Sequence, residues 1–206
     1  MNINEIAKLA GVSRATVSRY LNNGYVSEEK KKIIRKVIEE TGYQPSSQAQ
    51  MLRTKKTKLV GVILPKIDSN TISREVAGIS DILTKKGYQL ILANTNNNIE
   101  EELKYLSLFK DNQVDGVIFI ATILTKQHRD MLKEYKVPIV LLGQRLEGYP
   151  CIFQDDQKAA MTLTEQMVKT GSKFGYITVT DKDEAVGRKR MSGVEEILSK
   201  NKIEFG

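Results

Sequence analysis

Apolar residues recur along this 206-residue chain with two different periods, and the change between them falls near Leu59. Before that point they repeat every three or four residues, the spacing of a helix face. Ile3, Ile6, Ala7 and Ala10 make the first stripe. Asn2 can cap that helix, Glu5 completes a capping box three places on, and Gly11 ends it. Val12 plugs the angle to a second helix running from Arg14 to about Leu21, for which Ser13 supplies a cap. After a turn at Asn22-Asn23-Gly24, Ser27 caps a third helix over Glu28–Thr41 that stops at Gly42. Its acidic first turn suits the helix dipole, Ile33, Ile34, Val37 and Ile38 form its buried face, and Lys30, Lys31 and Lys32 lie on a solvated one.

Residues 45–58 carry a short helix at 48–53, capped by Ser46 or Ser47 and too brief to be stable alone in water. From Leu59 the apolar residues gather into nearly continuous runs, LVGVIL (59–64), YQLILA (88–93), VIFIA (117–121) and PIVLLG (138–143). Helical stretches at 73–86, 99–111 and 126–135 part them. Strands buried on both faces and spaced by helices predict a parallel sheet with helices on either side. Such sheets take ligands at the carboxyl ends of their strands, here 65–73, 94–98, Thr122 and 143–145. A further helix (159–170), strand (174–180) and helix (187–201) follow. A lone strand between two helices cannot cover its own apolar faces without a parallel neighbour.

On a helical wheel Arg14, Ala15, Ser18, Arg19 and Asn22 fill an arc of roughly 140°, with Val17, Tyr20 and Leu21 opposite. Two guanidinium groups, a hydroxyl, an amide and a methyl on one face suit the major groove of B-DNA, where arginine bonds guanine and a methyl meets thymine. Charge supports this. Residues 1–58 hold 12 Lys and Arg against 5 Asp and Glu, while 59–206 hold 20 of each, so the whole surplus of seven lies in the helical head.

Other chemistry is excluded. The single histidine, His128, is placed on the outer face of its helix, the single cysteine, Cys151, has no disulfide partner, and neither has metal-ligand neighbours. Asp155-Asp156 and the pair Asp181 and Asp183 read as solvated turns rather than catalytic dyads. With no nucleophile elbow, phosphate loop or dinucleotide fingerprint, no enzyme, cofactor or metal is expected. No apolar run reaches about 18 residues and no signal core opens the chain, so a cytoplasmic protein is expected.

The run IAKLAGVSRATVSRYLN (6–22), with Val26-Ser27 and Gly42-Tyr43-Gln44-Pro45, resembles the headpiece of the lactose-repressor/galactose-repressor family of bacterial transcription regulators. Gly61-Val62, Val114-Asp115-Gly116, Gly143, Arg145 and Asp155-Asp156 extend the likeness to that family's sugar-binding core. The resemblance implies an N-terminal all-α helix-turn-helix head (1–44) with a hinge helix (45–58). An α/β periplasmic-binding-protein-like sensor follows, a parallel sheet with its first lobe nearly complete (59–157) and its second partial (158–206).

It further implies that Arg14, Ala15 and Arg19 read bases, that Asn2, Ser13, Thr16, Ser18 and Asn22 mainly hold phosphates, and that Tyr25 joins the DNA face. Leu52 of the hinge wedges into the minor groove and Ala49 meets the second hinge. Ser46 stands where the family usually has asparagine. Ser69, Thr71, Ile72, Thr122, Phe153 and Arg190, the last in an Arg-x-x-Gly motif with Gly193, line the effector site. The implied protein is a repressor of a carbohydrate-utilisation operon, a homodimer on a pseudo-palindromic operator, answering to a sugar-like effector. Members continue well beyond residue 206, so a truncated chain is expected. A sugar-binding protein without regulatory function, and a regulator that binds DNA without effector control, are the alternatives.

Overall fold

Asn2 opens α1 (Ile3–Leu9) with the capping box that its spacing predicts: its Oδ1 accepts the Asn4 and Glu5 N–H groups at 2.9 and 3.2 Å, and its own N–H donates to Glu5 Oε2 at 2.9 Å. Gly11, at φ +60°, turns the chain sharply towards α2 (Arg14–Leu21), where Ser13 Oγ accepts the Thr16 N–H at 3.2 Å. α3 (Glu28–Thr41) ends at Gly42 in the left-handed conformation. Ser27 occupies its N-cap position, but only the carbonyl serves, accepting the Lys31 N–H at 2.9 Å. Ile6, Val17 and Ile34 are fully buried at the centre of the three helices, with Ala7, Ala10 and Val26 around them. Ile33, expected in that core, is instead 41 % exposed, because Ile34 takes the central place and Val37 and Ile38 the margin. Lys30 and Lys32 are exposed and Lys31 pairs with Glu28 at 2.7 Å.

This computed structural model describes residues 1–44, 56–111, 114–171 and 173–203, and its contacts divide the chain into two units between Thr57 and Lys58. The segment expected to form the hinge helix, with Ala49 and Leu52, lies outside the described residues.

In the second unit the strands are β1 (Leu59–Leu64), β2 (Gln89–Asn94), β3 (Gly116–Ile120), β4 (Ile139–Leu142) and β5 (Cys151–Ile152), all parallel in the order β2-β1-β3-β4-β5. α4 (Asn70–Lys85), α5 (Ile99–Asp111) and α6 (Lys126–Lys133) are the crossovers. On one face Leu106 and Phe109 of α5 and Leu132 of α6 bury Ile63, Phe119 and Leu141. On the other, Ile72, Val76 and Ile79 of α4 cover Val62, Leu64 and Ile120. Gly61 lets α5 settle, since a Cβ there would stand 2.6 Å from the Phe109 ring.

Several expectations are corrected. β2 is not covered on both faces: it is the sheet edge, with Ile91 and Leu92 40 and 42 % exposed. β5 is too short for an apolar run to announce it. Residues 174–180 form no strand, and Ile177 is 99 % exposed. The last helix is preceded by a π-helix (Glu184–Lys189) and then runs as α8 (Arg190–Lys200), packed on α7 (Asp156–Met167). The polar run at 94–98 serves the backbone: Asn94 Oδ1 accepts the Ile67 N–H at 3.0 Å, and Asn98 Oδ1 accepts those of Glu100 and Glu101.

His128 is the largest correction, since it is completely buried rather than on an outer face. Met131, Leu132 and Tyr135 follow it at helical spacing and pack on the same core, so the imidazole shares their stripe. Its Nδ1 accepts the Thr125 N–H at 3.2 Å, its ring stacks on Phe119, and its Nε2 lies 3.1 Å from Oε2 of the buried Glu102. That last contact is not aligned as a hydrogen bond, which leaves two desolvated polar groups facing each other. Removing one member of such a pair strands the other. His128→Leu alone should therefore destabilise the chain by ~3–5 kcal/mol, and Glu102→Leu/His128→Leu by clearly less than the sum of the single changes, in a denaturant-unfolding cycle.

Candidate functional site

The apolar side of α2 is consumed by packing, with Val17 buried and Tyr20 and Leu21 partly so. Its other side faces solvent: Arg14, Ala15, Arg19 and Asn22 are exposed and Ser18 half-buried. Ser13 and Thr16 join hydroxyl to hydroxyl at 2.9 Å at the start of the helix. At its end the Asn22 side chain donates to the Ser18 carbonyl, and the Gly24 N–H donates to the Arg19 carbonyl at 2.8 Å. A Cβ on Gly24 would press to 3.2 Å from that carbonyl, so the glycine lets the chain turn tightly behind Arg19. Tyr25 follows, 89 % exposed. Behind α2, the Arg35 guanidinium on α3 donates a hydrogen bond to the Tyr20 hydroxyl, which raises the Arg35 pKa. The result is a short helix held rigidly by its back and ends, with two cations presented from its front.

The second group of residues lies at the carboxyl ends of the strands. After β1, Ser69 stands at the N-cap of α4 and Thr71 and Ile72 in its first turn, with Ile72 turned to the core under β1 and β3. Thr122 follows β3, and its carbonyl accepts the Gln144 amide at 2.8 Å. Phe153 follows β5, 43 % exposed, with Lys189 Nζ 5.7 Å from its ring centre. Arg190 opens α8, and its Nε donates to Oδ1 of the buried Asp156 at 2.6 Å. Asp156 and Asp183 are thus not solvated turns: both are buried, Asp156 paired with Arg190 and Asp183 bonded to Gln144.

Two family models match, "Bacterial regulatory proteins, lacI family" over residues 2–46 and "Periplasmic binding proteins and sugar binding domain of LacI family" over residues 57–204. The chain belongs to the LacI family. Among LacI relatives, the sucrose operon repressor of Staphylococcus xylosus is 36 % identical over 98 % of this chain and 64 % of its own length. The transcription regulator CcpA of Lactococcus lactis superposes with a TM-score of 0.66 at 35 % identity, covering 72 % of this chain and 55 % of that one. The fold is shared with the lac repressor dimer bound to operator and the anti-inducer ONPF, at a TM-score of 0.86 and 21 % identity, over 99 % of this chain and 63 % of that one. This chain spans less than two thirds of the length of the curated LacI relatives it matches.

Within the LacI fold the structure brings Phe153 to Lys189, Arg190 to Asp156, and Thr122 to Gln144 and Asp183. Ser69, Thr71 and Ile72 sit on a separate helix start, and Ile72 is spent on packing. Lys189, Asp156 and Asp183 are not expected at this end of the sheet; Gln144 lies in the expected strand-end stretch 143–145 without being singled out in it. Only the position of Gln144, directly after an apolar run, marked it.

The Ser13 cap supports the α2 fold while the two arginines contribute nothing to it. Ser13→Ala should cost the head ~1 kcal/mol, measured as several-fold faster amide exchange in α2. Arg14→Ala and Arg19→Ala should stay within ~0.5 kcal/mol of the parent chain in the same measurement.

Proposed function

We propose that the chain is a sequence-specific DNA-binding transcriptional regulator, a repressor of carbohydrate-utilisation genes whose hold on a pseudo-palindromic operator responds to a small sugar. The observation that carries this reading is the exposed front of α2, with Arg14, Ala15 and Arg19 on a helix braced by Val17 and Ile34. Arg14 and Arg19 read base edges in the major groove and Ala15 meets a thymine methyl. Asn2, Ser13, Thr16, Ser18, Asn22 and Tyr25 set the register on the phosphates. Leu52 completes the contact through the minor groove, and Ala49 meets the second hinge. Family membership and the sucrose operon repressor among its relatives support the carbohydrate reading.

Ser69, Thr71, Thr122, Phe153 and Arg190 form the effector site, and Ile72, packed on the core, seats the first turn of α4 that carries Thr71. Hydroxyls and a guanidinium bond the sugar hydroxyls, and the Phe153 ring covers an apolar sugar face. The effector shifts DNA binding only if it binds the DNA-competent and DNA-free arrangements with different affinity. Two copies read the two half-sites, and the apolar Ile82, Ile91 and Leu92 left exposed on α4 and β2 favour pairing. Among the described residues no helix is long and apolar enough to cross a membrane, and we place the regulator in the cytoplasm with its DNA.

Selection of the 206-residue chain on random duplexes, followed by anisotropy at two salt concentrations, tests this. A palindromic site should emerge, and Arg19→Ala should lose ~1–3 kcal/mol per half-site against that sequence while still binding DNA non-specifically. Enrichment of no sequence by the unaltered chain, or an Arg19→Ala variant that selects the same site as tightly, rules the reading out.

A further inference from the structure

Gln144 follows β4 and is 5 % exposed. Its side-chain amide has two hydrogens and both are used: Nε2 donates to the Thr122 carbonyl at 2.8 Å and to Asp183 Oδ1 at 2.7 Å. Asp183, also buried, is held on its own element, because the same Oδ1 accepts the Val186 N–H at 3.0 Å while its carbonyl accepts those of Gly187 and Arg188 at 3.0 Å each. It thereby caps the π-helix. Gly187 lies hard against the segment before it, since a Cβ there would stand 2.1 Å from the Thr180 carbonyl oxygen. The π-helix leads straight into Arg190, which Asp156 holds at 2.6 Å. An unbroken series of bonds therefore runs from the end of β3 through Gln144 and Asp183 to Arg190. A buried amide with both hydrogens committed cannot let go of one acceptor without leaving polar groups unsatisfied, so the series has one low-energy arrangement.

We propose that Gln144 and Asp183 are positioning residues that clamp the π-helix to the strand ends and so set the span between Thr122 and Arg190, the dimension that decides which ligand fits there. The ligand-facing role of Thr122 and Arg190 rests on the proposed function; the clamp rests on the bonds alone. Its readout is a distance across the clamp, which needs no knowledge of the ligand. π-Helical turns are found disproportionately at functional sites, and here the irregular turn is the piece whose seating the clamp controls.

The test places nitroxides through Arg129→Cys on α6 and Glu195→Cys on α8, both exposed, in a Cys151→Ser background of the whole chain, and measures their separation by pulsed dipolar spectroscopy. The parent should give one narrow distribution. Asp183→Asn keeps the Oδ1 acceptor and should keep that distribution, whereas Gln144→Ala and Asp183→Ala should widen it at least about twofold or shift its maximum by several ångströms. A folded Gln144→Ala chain with the parent distribution overturns the proposal. Should Gln144→Ala fail to fold, the two Asp183 variants decide: a narrow Asn beside a broad Ala upholds the clamp, and identical widths refute it. A chain that shows the clamp yet selects no operator keeps this inference and loses the regulatory one.

Discussion

All five strands of the sheet run the same way, and a parallel pair can be joined only by a crossover that returns the chain to the starting edge. Everything at the candidate ligand site depends on that constraint. It forces the end of every strand to the same rim, so that Ser69, Thr122, Gln144 and Phe153, scattered over the sequence, become neighbours of one edge of one sheet. It also needs crossover helices close against the strands, which Gly61 permits by leaving room for the Phe109 ring. With that layer seated, the buried Glu102 and His128 join two successive crossovers, α5 and α6, above Phe119.

The head obeys a different logic. Three helices have little area to bury, and the apolar positions of α2 other than Ala15 are used in holding it between α1 and α3. What remains for recognition is the face with no structural duty. Stability and reading are therefore divided between opposite sides of one eight-residue helix, and the second can change without loss of the first.

Where a residue's duty follows from periodicity, the sequence alone made it legible. The caps at Asn2 and Ser13, the α3 boundaries, the α5 boundaries and four of the strands are stated by spacing and turn chemistry. The exceptions have physical causes. A titratable side chain belongs by type to solvent, but His128 is buried because it shares the apolar stripe of Met131, Leu132 and Tyr135. The segment at 174–180 has strand composition, but composition alone does not place a segment in a sheet. Asp183 and Gln144 are partners brought together by tertiary folding, and no local pattern announces a hydrogen bond across that distance in sequence. The π-helix escaped for a related reason: its geometry is imposed by the tight seat of Gly187 against Thr180 and by the Asp183 cap, neither of which alters the helical appearance of the sequence.

Gly193 has a mechanical meaning. A Cβ at that position would come within 2.5 Å of the Gln157 carbonyl oxygen, so at Gly193 the backbone of α8 lies directly against that of α7, with only the small Ala160 side chain beside the contact. Helices in such contact have little freedom to slide or roll against each other and behave as one stiff beam. Arg190 sits at one end of that beam and Lys200 at the other, ten residues and about 15 Å apart along the helix axis. A small tilt imposed at the arginine end is not absorbed along the way; it is delivered, magnified by the lever arm, at the far end of α8.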